Sequence, residues 1–224
     1  MAARNRSIDI TQIIEWQDGM PRRVQDYLTA EEPLEMRAGR RSLGVTPRTP
    51  GNDSELVAGF LFTEGIITQP AQLLSIEAAD DLKGNSASNQ RCTRDLGPGA
   101  NLSRQRTPRR FSAGSACGAC GKASIAELRQ RGGRRPDPTS RFDPEMICQL
   151  PDKLREPQAI FRRTGGLHAA VLFSGRGELL VVREDIGRHN AVDKVIGWAL
   201  LQGRLPLADH ALLVNAIQTS YEFS

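Results

Sequence analysis

Two short apolar runs, residues 169–174 and 179–184, flank the glycine-bearing turn Gly175-Arg176-Gly177, and a segment with helical spacing, residues 188–201, follows at once. Six-residue apolar runs on either side of a glycine turn predict the two strands of a hairpin. In 188–201, Ala191, Val192, Val195, Ile196, Ala199 and Leu200 fall on one face of a helix that Gly203 stops. A further apolar run at 211–214 predicts another strand. Strands and a helix in this order predict an α/β core. The order strand, strand, helix, strand leaves that core short at residue 224, so part of an ordinary domain is expected to be missing from the chain.

A second helix is predicted after the turn Pro50-Gly51-Asn52. Asn52 stands as its N-cap, and Glu55, three residues on, completes a capping box. Leu56, Val57, Phe60, Leu61 and Thr63 supply its apolar face and Gly65 ends it. Gly59 lies inside that helix, where glycine costs about 1 kcal/mol against alanine, so close backbone packing is expected there. Residues 22–28 and 32–36 predict short strands. From 77 to 115, acidic pairs, glycines and scattered arginines leave little to bury, which predicts a long loop or weak strands joined by one. A short helix is expected at 123–131, and two helical pieces at 144–150 and 151–161. The division is therefore an N-terminal α+β part (1–78), a flexible loop (79–115) and an α/β core (116–224).

The 224 residues carry a net charge of +4, and only four of the thirty basic residues are lysines. Arginine is the better bidentate partner for phosphate, so the balance suits an anionic ligand without demanding nucleic acid. Genomic base composition explains the same bias. No run of 18 or more apolar residues occurs, so no membrane-spanning helix is predicted. The polar, charge-broken first sixteen residues do not read as a secretory signal. The expectation is a soluble, cytoplasmic protein with neither membrane nor nucleic acid as partner.

Four cysteines are present, two of them close together in residues 115–122, Ser-Ala-Cys-Gly-Ala-Cys-Gly-Lys. The glycines around Cys117 and Cys120 keep the backbone mobile and the sulfurs accessible. A following helix N-terminus and Lys122 both favour the thiolate. Half a zinc site is an alternative, but Cys92 and Cys148 are distant singles and no histidine pair has ligand spacing. A thioredoxin-like pair belongs just after a strand, whereas an irregular polar stretch precedes this one. A zinc nucleoside deaminase needs His-x-Glu before Pro-Cys-x-x-Cys. Here Ala116 precedes Cys117, no histidine lies upstream of the pair, and Ala170 and Ala191 stand at the glutamate positions.

The second constellation is residues 183–194, Arg-Glu-Asp-Ile-Gly-Arg-His-Asn-Ala-Val-Asp-Lys. Seven polar groups crowd the eleven positions from Glu184 to Lys194, at a strand-to-helix junction where α/β proteins bind ligands. Asp185, Arg188, His189 and Asn190 can bind a phosphate or position an acid–base histidine. They can equally cap a helix and face solvent. The third constellation, residues 164–170, Thr-Gly-Gly-Leu-His-Ala-Ala, places His168 at the start of a strand expected to neighbour the junction. The two histidines then raise the odds of a shared site.

These segments, with residues 46–67, Thr-Pro-Arg-Thr-Pro-Gly-Asn-Asp-Ser-Glu-Leu-Val-Ala-Gly-Phe-Leu-Phe-Thr-Glu-Gly-Ile-Ile, resemble the FdhD family, the formate dehydrogenase accessory sulfurtransferases. The resemblance runs from about residue 32 to 213 and is weakest over 82–109. It implies a cytidine deaminase-like mixed sheet flanked by helices, without the zinc site, plus the smaller N-terminal α+β part. It implies a homodimer that matures molybdenum or tungsten formate dehydrogenase. Such a protein accepts persulfide sulfur from a cysteine desulfurase and passes it to the bis-molybdopterin guanine dinucleotide cofactor. It then helps deliver that cofactor to apo formate dehydrogenase. Carried onto this chain, Cys117 bears the persulfide and Cys120 is its partner, and no protein-bound zinc is expected. Asp185, Arg188, His189, Asn190 and His168 are then the candidate cofactor-binding residues. The competing expectations are a molybdenum-cofactor-binding chaperone with a redox or structural cysteine pair, and an inactive truncated product. Relatives carry a Ser-Gly-Arg-like turn where residues 215–223 stand here.

Overall fold

The computed structural model describes residues 7–80, 90–102, 141–155 and 160–214. Strands β1 (Ile8–Gln17) and β2 (Met20–Thr29) form an antiparallel ribbon closed by Asp18 and Gly19, both at positive φ. An Asp-Gly pair with both residues in that region makes the tight primed turn that matches strand twist. That dipeptide was the available signal for β1, which the apolar pattern of residues 8–17 did not reveal. The pattern is silent because the ribbon buries little: Ile10, Ile14, Trp16 and Met20 are all exposed.

Next come β3 (Glu32–Ala38), β4 (Arg41–Arg48), helix α1 (Asp53–Thr63), β5 (Leu73–Asp80) and β6 (Gln90–Leu96). They build a sheet of order β4-β3-β6-β5, in which only the β3–β6 pairing is parallel. Within the stretch that the sequence assigned to a loop or weak strands, β6 therefore lies between two partners. Leu34, Met36 and Leu43 of the sheet pack on Leu56, Val57, Phe60 and Leu61 of α1.

The start of α1 departs from the expected capping box. Asn52 is the N-cap residue, but it sits in the left-handed region (φ 57°) with no side-chain hydrogen bond to the helix. Glu55 instead accepts two hydrogen bonds from the Arg183 guanidinium, one of them from Nη2 at 2.7 Å. A bidentate charged pair is stronger than a cap bond, and it reaches across the molecule.

Helix α2 (Pro144–Arg155) continues through Pro151, so one helix stands where two pieces were expected. An interior proline costs about 3 kcal/mol. Met146, Leu150 and Leu154, spaced four apart, are buried against Ala169, Val171 and Phe173 and offset that cost at about 1.5–3 kcal/mol per side chain. Pro151 itself is on the exposed side.

After a single helical turn at Phe161–Thr164 come β7 (His168–Ser174), β8 (Leu179–Asp185), helix α3 (Arg188–Leu201) and β9 (His210–Val214). The hairpin expected at glycines 175 and 177 is there, antiparallel, with β9 antiparallel on the other edge of β7. Odd residues of β7 face α2, while Ala170 and Leu172 face Ala191 and Val195 of α3. Both faces of β7 are covered, which is why its sequence is continuously apolar.

Helix α1 packs on the far side of α3, so the two helices share the space between the two sheets. The seam is made by glycines, as Gly59 led us to expect. A Cβ on Gly59 would lie 1.8 Å from the Asp193 carbonyl oxygen, and one on Gly197 would lie 1.8 Å from the Glu55 carbonyl oxygen.

Candidate functional site

The seam brings two strand-to-helix connections together: residues 49–52 between β4 and α1, and residues 186–187 between β8 and α3. At their contact lies a buried ion pair. The Lys194 ammonium is 2.7 Å from Asp185 Oδ2, and both side chains are essentially inaccessible to solvent (2% and 0%). Lys194 Nζ also donates to the carbonyls of Thr49 (3.0 Å) and Glu184 (3.2 Å), so its three protons each have an acceptor. Asp185 Oδ2 accepts from Thr49 N–H (3.2 Å), and Oδ1 accepts from Gly187 N–H (2.8 Å) and Asn190 Nδ2 (3.0 Å). Asn190 Nδ2 also donates to the Pro47 carbonyl at 2.8 Å.

Thr49 is held at every polar atom. Its N–H goes to Asp185, its carbonyl accepts from Lys194, and its Oγ1 accepts from Ile186 N–H at 3.1 Å. Burial of polar groups is tolerated only when they are paired in this way. Neighbouring charges are tied up as well. Arg48 pairs with Asp53 (2.9 Å) and Glu32 (3.3 Å), and Thr63 Oγ1 donates to Asp193 Oδ1 at 2.8 Å. The Glu184 carboxylate accepts from Ile160 N–H and Phe161 N–H, fixing the turn before β7.

The sequence-derived candidates thus divide by position. Asp185 and Asn190 are buried and bonded within the chain. Arg188 and His189 open α3 and are half-buried. His168, also half-buried, is the register partner of Asp185 across β7 and β8, so the neighbouring expected of the two strands is present. The first turn of α3 contains no acidic residue, and the helix N-terminus carries partial positive charge, so this end of the helix is suited to an anion. Cys117 and Cys120, with the helix expected at 123–131, lie outside the described residues. Cys148 is an exposed free thiol on α2. Thr49 and Lys194 were not among the candidates. The signal for Thr49 was its place in Thr-Pro-Arg-Thr-Pro, where two prolines stiffen the backbone and remove donors.

The fold and this junction define an α/β protein whose two strand-to-helix connections are locked together by a buried ion pair beside a positively charged helix start. The chain belongs to the FdhD/NarQ family, whose model matches residues 29–222. It is 43% identical to the sulfur carrier protein FdhD of Streptomyces avermitilis over 216 residues, covering 95% of this chain and 76% of that protein. The protein of the same name from Mycolicibacterium paratuberculosis is 45% identical over 210 residues, covering 89% of this chain and 74% of the relative. That from Sulfurisphaera tokodaii is 37% identical over 193 residues, covering 85% and 69%. In fold, the chain is similar to a crystal structure assigned as a formate dehydrogenase accessory protein from Desulfotalea psychrophila. The TM-score is 0.67 at 21% identity, over 93% of this chain and 74% of that one. No helix among the described residues is long and apolar enough to cross a membrane.

Proposed function

We propose that the chain carries sulfur as a persulfide on Cys117, taking it from a cysteine desulfurase and passing it to the molybdenum bis-molybdopterin guanine dinucleotide of formate dehydrogenase. The observation that carries the reading is a glycine-flanked Cys117/Cys120 pair in a chain 43% identical, over 95% of its length, to a sulfur carrier protein. In loading, the Cys117 thiolate attacks the outer sulfur of the desulfurase persulfide. The donor S–S bond breaks, its electron pair returns to the desulfurase cysteine, and a new S–S bond forms on Cys117. In release, the Cys120 thiolate attacks the inner sulfur of that persulfide. The outgoing hydrosulfide carries the electron pair away, and a Cys117–Cys120 disulfide remains.

The anionic cargo has its counterpart in Arg188 and the α3 N-terminus, with His189 beside them and His168 across from Asp185. Asp185 and Asn190 hold the junction on which these side chains stand. The same reading includes a cytoplasmic homodimer, docking with apo formate dehydrogenase, and a cytidine deaminase-like core that works without zinc. The helix-flanked β8-β7-β9 sheet is compatible with that core.

Loading is tested by incubating the chain with a cysteine desulfurase and radiolabelled cysteine, then releasing bound sulfur as thiocyanate with cyanide. Wild type is expected to hold about one sulfur per chain and Cys117→Ala none. Cys120→Ala should load but release sulfur more slowly. Equal loading in the Cys117→Ala protein rejects the proposal.

A further inference from the structure

Resting on the reading that Arg188 and His189 meet an anion, we infer that Lys194 and Asp185, clasped on Thr49, are positioning residues for that site. Neither can touch a ligand. Lys194 has its three donors committed and Asp185 accepts three hydrogen bonds besides the ion pair, all within the chain. What they hold is the start of α3. Asp185 Oδ1 accepts from Gly187 N–H, and Gly187 is the residue from which the helix departs. Lys194, fewer than two turns along, ties the helix back to Glu184, at the end of β8, and to Thr49. The helix is thereby fixed at two points to one strand end, so the backbone that carries Arg188 and His189, which lie between those points, has one placement.

The chemistry of the clasp fits positioning better than stability. A buried ion pair is commonly no more stabilising than apolar residues of the same volume. Seven directional contacts to named atoms, however, admit one register of helix against strand. Thr49 adds the second connection to the lock, so the N-terminal sheet and α1 also bear on where the α3 N-terminus points.

The test is calorimetric titration of the 224-residue chain with inorganic pyrophosphate, the group a dinucleotide cargo would present, alongside desulfurase-dependent sulfur loading. The variants are Arg188→Ala, Lys194→Met and the double variant Asp185→Asn/Lys194→Met. The double variant leaves no unpaired buried charge and keeps the test alive if Lys194→Met does not fold. Pyrophosphate binding is expected to weaken at least tenfold in all three, with sulfur loading on Cys117 retained in each folded protein. A folded double variant that binds pyrophosphate within twofold of wild type overturns the positioning role while leaving the anion site standing. Wild-type protein that does not bind pyrophosphate, or Arg188→Ala that binds it normally, overturns the anion site and the positioning role with it.

Discussion

The two strand-to-helix connections lie against each other, yet they treat their helix ends in opposite ways. Helix α1 carries Asp53 and Glu55 in its first turn, and these are paired with Arg48 and Arg183. Helix α3 carries no acid in its first turn and opens on Arg188 and His189. A helix N-terminus bears about half a positive charge. In α1 that charge is met by the helix's own carboxylates, and the carboxylates are tied to the rest of the fold. In α3 the first turn supplies no carboxylate and Arg188 adds positive charge, while Asp185, just before the helix, is itself committed to Lys194, Thr49 and Asn190. The same local architecture thus carries its own paired acids in one place and, on the function proposed above, meets an anion in the other, and first-turn charge is what separates the two.

The sharpest way to break this comparison is to push the two helices apart. Gly197→Ala places a methyl group against the Glu55 carbonyl, where only a backbone shift can make room. We expect a loss of about 3 kcal/mol, at the upper end of ordinary overpacking, measured as a shift in the urea midpoint with the slope unchanged. A loss below about 1 kcal/mol would mean the seam is not tightly packed. A smaller effect is expected at the α1 end. Glu55→Gln weakens a half-buried bidentate pair between α1 and β8 and should cost about 1.5 kcal/mol. The matching change at the α3 end, Arg188→Ala, should change stability by about 0.5 kcal/mol or less, as is usual outside a packed or paired feature. If Arg188→Ala instead destabilises as much as Glu55→Gln, the two helix starts are equivalent and the contrast drawn between them fails.

Legibility varied along the chain for physical reasons. The hairpin at 168–185 and helix 188–201 were readable because both are covered by apolar neighbours, so their periodicity is written in side-chain type. The cost of Gly59 pointed correctly to a close approach, although only the fold identifies Asp193 as what it approaches. Strand β1 was not readable from its apolar pattern, because a ribbon whose Trp16 is 70% exposed has no buried face to impose one. Pro151 misled in the other direction. Local chemistry says stop, but three leucine-sized contacts on the buried face keep α2 whole. The Asn52–Glu55 box failed because Arg183, 128 residues away, offers Glu55 a better partner than its own helix does.

The junction at 183–194 was recognisable as a concentration of polar groups, and the close cysteines as a candidate pair, because both depend on neighbours in sequence. Which of those polar groups face inward depended on partners that lie far away. Thr46 to Thr49 reach Asp185, Asn190 and Lys194 across more than 130 residues. Sequence by itself determined the chemical types available, the strand and helix runs around the junction, and the family to which the chain belongs. Only the tertiary structure decided that Asp185, Asn190 and Lys194 serve the chain while Arg188 and His189 remain half-buried. Burial makes an ionic or hydrogen-bonded partner obligatory, and the partner is chosen by where the folded backbone arrives rather than by spacing along it.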